Sequence, residues 1–181
     1  RNCVAGRREL VAFAKEHKIA HDICGKIIVA THESELAHMN KVYNNGIANG
    51  VEDIEMINAK RIREIEPYCE GIAGIWVGCT GIIDYADVAR KYQELINASG
   101  NGSAVKTSQK VTGFLKEGDN TVVITETSRY TGNYVISTSG LQADRVTKKE
   151  GAKTDSAIVG FRGDYYDLTD KGISKVKNLI Y

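Results

Sequence analysis

The stretch FRGDYYDL, residues 161 to 168, gathers one arginine, two tyrosines and two aspartates into eight positions. Read as a strand, it puts Arg162, Asp164 and Tyr166 on one face and Phe161, Gly163, Tyr165 and Asp167 on the other. An arginine fork holds a substrate carboxylate through paired charge-assisted bonds, each worth about 1.5 to 3 kcal/mol, and tyrosine hydroxyls orient it. The competing reading is an Arg162–Asp164 pair on an exposed sheet, worth about 0 to 1 kcal/mol, and the residues alone lean toward it. A second stretch, YVISTSGLQADRV (134 to 146), is an apolar run that ends in glycine and enters a helix. Such a turn leaves the backbone at Ser139, Gly140 and Leu141 open to a flat or anionic ligand. A tight strand-to-helix turn needing glycine for its own geometry accounts for the pattern equally well.

Other chemistries fit less well. GNGSAV (100 to 105) lacks the third glycine of a dinucleotide loop and lies between a helix and a strand, so it reads as a helix stop. His17, His21, His32 and His38 form no HxxxH on a continuous helix face, and Cys3, Cys24, Cys69 and Cys79 form no CxxC, so no metal is expected. The cysteines read as buried free thiols of a reducing cytoplasm. A net charge of +1, with 26% charged residues, argues against nucleic acid or an anionic membrane as partner. No apolar run is long enough to span a bilayer.

The elements that must position these residues are legible in the periodicity. Leu10, Phe13, Ala14 and His17 mark a helix over 3 to 16, and ICGKIIVAT (23 to 31) a strand. Leu36, Met39, Tyr43 and Ile47 mark a second helix closed by Gly50, and Glu55 to Ile57 a short strand. Asn58 caps a brief helix carrying Ile62 and Ile65, and two short strands fall between Gly71 and Ile83. Asp84 caps the clearest helix, whose apolar face is Tyr85, Val88, Ala89, Tyr92, Leu95 and Ile96. A three-stranded meander is expected over 104 to 139, turning at 117 to 120 and again near 131 to 133, with YVIST as a last strand buried on both faces. A short helix with Val146 and a final strand from Ile158 to Leu168 follow. The order implies an α+β or interleaved α/β fold without a linker.

Taken in series, CGKIIVAT (24 to 31), IREIEP (62 to 67), TGIIDYADVAR (80 to 90), STSGLQADRV (137 to 146) and FRGDYYDL resemble the FAD-dependent oxidoreductases of the D-amino-acid oxidase superfamily, nearest to the branch that acts on L-2-hydroxyglutarate. The resemblance implies FAD as cofactor, a 2-hydroxy acid as substrate, a 2-oxo acid as product, and oxygen or a quinone as electron acceptor. It implies that Val111, in QKVTG, borders the adenine through its backbone, and that Ser139, Gly140 and Leu141 turn beside the cofactor. Ser139 departs from the small apolar residue usual before that glycine. Arg162, Tyr165 and Tyr166 are implied as substrate-binding residues, and no catalytic base can be named. An FAD lobe is expected from 1–17 and 84–150, and a substrate lobe from 18–83 and 151–181.

The pyrophosphate fingerprint of the family is expected upstream of residue 1 and further active-site residues downstream of Tyr181. The chain is therefore expected to be an internal fragment, inactive and without FAD on its own, inclined to self-associate, and cytoplasmic or membrane-peripheral in its parent. A flavoprotein acting on glycerol 3-phosphate or an amino acid, or a non-catalytic interaction module, are the alternatives.

Overall fold

The computed structural model describes residues 2–181. Along the chain run α1 (Asn2–Glu16), β1 (His21–Asp22), β2 (Lys26–Ala30), α2 (Leu36–Ala48), β3 (Ile54–Asn58), α3 (Ala59–Ile65), β4 (Ala73–Val77), β5 (Ile82–Ile83) and α4 (Tyr85–Ala98). Then come β6 (Val111–Glu117), β7 (Asn120–Thr125), β8 (Arg129–Gly132), α5 (Ala143–Lys149), α6 (Asp170–Ile173) and β9 (Leu179–Ile180). Helices and mixed sheets alternate as the α+β reading requires. Two compact units emerge, Arg1–Ser103 with Asp167–Tyr181, and Ala104–Tyr166.

In the first unit the sheet order is β3-β4-β2-β9; β4 runs antiparallel to both β2 and β3, and β9 joins β2 in parallel. Pleating sends Ile27 and Val29 to one face and Ile28 and Ala30 to the other. On the first face, Ile27, Ile57 and Trp76 meet Ile62 and Ile65 of α3. On the second, Ala30, Ile75 and Val77 meet Leu36, Met39 and Tyr43 of α2. A helix on each face explains why the strand cores are apolar without alternation. Elsewhere in this unit Ala14, Ile19 and Val88 join α1 to α4, and Phe13 stacks on Tyr92 with ring centroids 4.7 Å apart.

The caps form as the sequence predicts. Asn58 accepts a hydrogen bond from the Arg61 amide at 2.9 Å, and Asp84 Oδ1 accepts from the amides of Ala86 and Asp87 at 2.9 and 3.0 Å. Replacing Asp84 with alanine is expected to remove about 1 kcal/mol of stability in urea unfolding, and Asp84→Asn much less, because asparagine keeps the acceptor.

In the second unit β6, β7 and β8 form the antiparallel meander. Its first turn lies at 117 to 120, where it was expected. The second lies at Glu126 to Ser128, where the Thr125 amide donates to the Ser128 carbonyl at 2.9 Å and the Thr125 hydroxyl accepts the Ser128 amide at 2.9 Å. The third strand is therefore Arg129–Gly132, and YVIST is no strand: Tyr134 and Ile136 are exposed. Among the described residues no strand pairs with the outer edge of β8, so this apolar run stays out of the sheet. Ile158 to Leu168 likewise forms no strand and is open to solvent. Its β-branched and aromatic residues favour a pleated surface, but no neighbouring strand supplies the hydrogen bonds.

Two further expectations need correcting. On α4 only Val88 of the apolar stripe is buried; Tyr85, Tyr92, Leu95 and Ile96 remain exposed. All four cysteines are free, but only Cys69 is buried, where burial first and Glu66 second push its thiol above the ordinary range. Among the described residues no helix is long and apolar enough to cross a membrane, and no cluster of His, Cys, Asp or Glu is arranged to hold a metal.

Candidate functional site

The groove of the second unit is built from one face of the meander and one stripe of α5. Ser139 Oγ lies 2.6 Å from Ser137 Oγ, and the Ser139 carbonyl accepts the Gln142 amide at 2.9 Å, which folds Gly140–Gln142 into a 3₁₀ turn leading into α5. Gly140 sits at φ +52, a conformation that costs a side-chain-bearing residue but not glycine. Helical spacing then aligns Gln142, Arg145, Val146 and Lys149, at i, i+3, i+4 and i+7, along the groove. The facing wall is Lys110, Val111, Phe114 and Val123, and Val135 and Ile136 complete the apolar surface. The groove encloses about 700 Å³, within the range of small-molecule sites.

Its polar fittings are few and directed. Lys149 Nζ donates to the Val111 carbonyl at 2.6 Å, tying the helix to the first residue of β6, and Arg145 Nη1 donates to Gln142 Oε1 at 3.0 Å. The register shift between Val111 and Gly113 breaks the ladder with β7 there, as a bulge does. An apolar trough rimmed by Lys110, Arg145 and Lys149 suits a ligand with a flat apolar part and an anionic part.

Val111 and Ser139 of the predicted cofactor residues thus meet in one groove. Gly140 and Leu141 lie at its entrance in sequence but do not line it, and the Leu141 side chain is exposed. Sequence reasoning missed Arg145 and Lys149, although their i, i+4 spacing after the glycine was the signal that α5 would present them together. The predicted substrate residues are not gathered into a site. Arg162 Nε donates to Asp164 Oδ1 at 2.8 Å on the surface, which is the simple ion pair rather than a fork in a pocket. Tyr165 and Tyr166 are 97% and 92% exposed.

A smaller cavity of about 390 Å³ lies in the first unit between α1 and the antiparallel β1–β5 pair, lined by Leu10, His21, Thr80 and Tyr85 among others. His21 Nδ1 donates to the Ile19 carbonyl at 2.8 Å, which fixes the ring against the cavity wall. Arg7, also on its wall, is engaged by Glu52, whose carboxyl is held below the usual range first by Arg8 and then by Arg7.

The model of a family described as DAO, FAD dependent oxidoreductase, matches residues 1–180. An L-2-hydroxyglutarate dehydrogenase of Indibacter alkaliphilus is 36% identical over 184 residues, covering 100% of this chain and 45% of that protein. The enzyme of the same name from Escherichia coli K12 is 36% identical over 181 residues, covering 99% of this chain and 42% of its own length. Among solved structures, an L-proline dehydrogenase from P. horikoshii superposes with a TM-score of 0.73 at 19% identity, over 82% of this chain and 40% of that one. The chain therefore spans less than half the length of the curated relatives it matches.

Proposed function

Since this chain belongs to the DAO family of FAD-dependent oxidoreductases, we propose that its residues serve the oxidation of a 2-hydroxy acid, L-2-hydroxyglutarate, to the 2-oxo acid. The observation that carries this reading is the 36% identity to an L-2-hydroxyglutarate dehydrogenase along the whole chain. Bound FAD would supply the acceptor for the C2 hydride, the hydroxyl proton being released as the 2-oxo acid forms, with oxygen or a quinone as the final electron acceptor.

The groove of the second unit fits part of that cofactor. Its apolar floor matches a flat ring, Arg145 and Lys149 oppose negative charge while Lys110 pairs with Glu126 Oε1 at 2.9 Å, and an added Cβ at Gly140 would meet no atom within 4 Å, so the backbone there is open to close approach. Val111 and Ser139 would border the cofactor, with Gly140 and Leu141 at the turn beside it. Lys149, by holding the Val111 carbonyl, orients the backbone on that wall.

We assign Arg162, Tyr165 and Tyr166 to the substrate. The arginine supports this: Asp164 takes only Nε, which leaves the Nη donors available for a carboxylate. We assign 1–17 and 84–150 to an FAD lobe and 18–83 and 151–181 to a substrate lobe. In support, the latter segments hold every strand of the β3-β4-β2-β9 sheet, and within the former α1 packs on α4 and α5 is tied to β6. Four free cysteines favour a reducing cytoplasm as the compartment.

The chain contains no GxGxxG sequence, so the purified 181-residue protein is expected to show little or no flavin absorbance. A protein with these residues and the full length of the relatives should be yellow, and anaerobic L-2-hydroxyglutarate should bleach it. Bleaching by glycerol 3-phosphate or an amino acid, but by no 2-hydroxy acid, would defeat the substrate assignment.

A further inference from the structure

Glu66 is wholly buried (0% exposed) and makes no ion pair among the described residues. It follows the last turn of α3, its amide donating to the Ile62 carbonyl at 2.8 Å. Oε1 accepts the backbone amides of Lys177, at 2.9 Å, and of Asn178, residues 111 and 112 positions further along the chain. Oε2 is buried with no hydrogen-bond partner. Taking a carboxylate out of water is costly unless directed bonds offset it, so a residue serving only to fill this space would be apolar.

What those bonds hold is a weak element. β9 is two residues long, lies at the sheet edge and pairs with β2 alone. Its ladder consists of the Leu179 amide to the Gly25 carbonyl (3.1 Å), the Tyr181 amide to the Ile27 carbonyl (2.9 Å) and the Val29 amide to the Tyr181 carbonyl (2.9 Å). Asn178 adds a side-chain bond from Nδ2 to the Cys24 carbonyl. So short an edge strand has little stability of its own.

We propose that Glu66 is a positioning residue, a buried latch whose carboxylate captures two successive amides and docks residues 177–181 onto the open edge of β2. It thereby fixes the chain where it returns to the sheet of the first unit. The latch does not depend on the flavoprotein reading and can be tested on the 181-residue chain.

Amide hydrogen exchange reads it. In Glu66→Ala the amides of Lys177, Asn178, Leu179, Tyr181 and Val29 should exchange about 10- to 100-fold faster, the loss expected for bonds to a charged group in a locally opening segment. Amides joining β4 to β3 should stay within about twofold of wild type on the same local-opening argument. Glu66→Gln, which keeps an acceptor oxygen, should restore much of the protection; Glu66→Met, which fills the volume without one, should not. If Glu66→Ala does not fold, Glu66→Gln against Glu66→Met carries the comparison, since both fill the volume and only glutamine offers an acceptor to the Lys177 and Asn178 amides. Acceleration spread evenly over the sheet, no acceleration, or equal protection in Glu66→Met and Glu66→Gln would each overturn the latch.

Discussion

Gly25→Ala is expected to destabilise the first unit by about 2 to 5 kcal/mol, combining a left-handed backbone strain of about 1 to 2 with overpacking of about 1 to 3. Gly25 sits at φ +80 immediately before β2, and a Cβ built there would lie 2.0 Å from the Trp76 ring. The ring cannot retreat freely, because it packs on the cluster of Ile27, Ile57 and Ile62. The Gly25 backbone also donates to the Thr80 carbonyl at 2.8 Å and accepts from the Leu179 amide, so a shift of the chain would loosen two connections. Trp76 is the sole tryptophan, and urea unfolding followed by its fluorescence reports this unit directly. Gly6→Ala is the control: that position lies inside α1 with nothing within 4 Å of the added carbon, and alanine there should stabilise by about 0.5 to 1 kcal/mol. Equal midpoints for Gly25→Ala and wild type would show that neither the strain nor the ring contact is real.

Ile75→Ala should cost about 2 to 5 kcal/mol, the usual range for truncating a buried isoleucine. Ile75 is wholly buried at the middle of β4, flanked in register by Ile28 of β2 and Met56 of β3, and it packs in the cluster beneath α2. A central strand between two others has no room to close over the space left, so both the transfer and the cavity contributions are felt. Ile47 on α2 is more than half exposed, and its truncation should cost less than about 1 kcal/mol. The same fluorescence-detected unfolding distinguishes the two. A loss below that of Ile47→Ala would mean the α2 face of the sheet is not a packed core.

The candidate site was legible in pieces. That Val111 and the STSGL turn each belong to the cofactor followed from resemblance, and the structure brings Val111 and Ser139 into one groove. The cationic rim was legible in principle, since Arg145 and Lys149 are one helical turn apart. FRGDYYDL was misread as a strand. Its composition describes a surface fit for pairing, but whether a partner strand arrives depends on residues far away in sequence. The segment remains open, and Arg162 settles on the nearest acceptor, Asp164.

By itself the sequence determined what local chemistry controls. Asn58 and Asp84 start their helices because each side chain reaches amides two or three residues on. The apolar stripes of α2 and α3 and the apolar cores of β2 and β4 declared burial on two sides. Tertiary structure alone decided which strands meet: β9 returns to lie parallel to β2, β8 rather than YVIST completes the meander, and Glu66 meets the amides of Lys177 and Asn178. Helix signals are carried by bonds three or four residues apart, whereas sheet edges and a buried carboxylate are satisfied only by groups brought in from elsewhere in the chain.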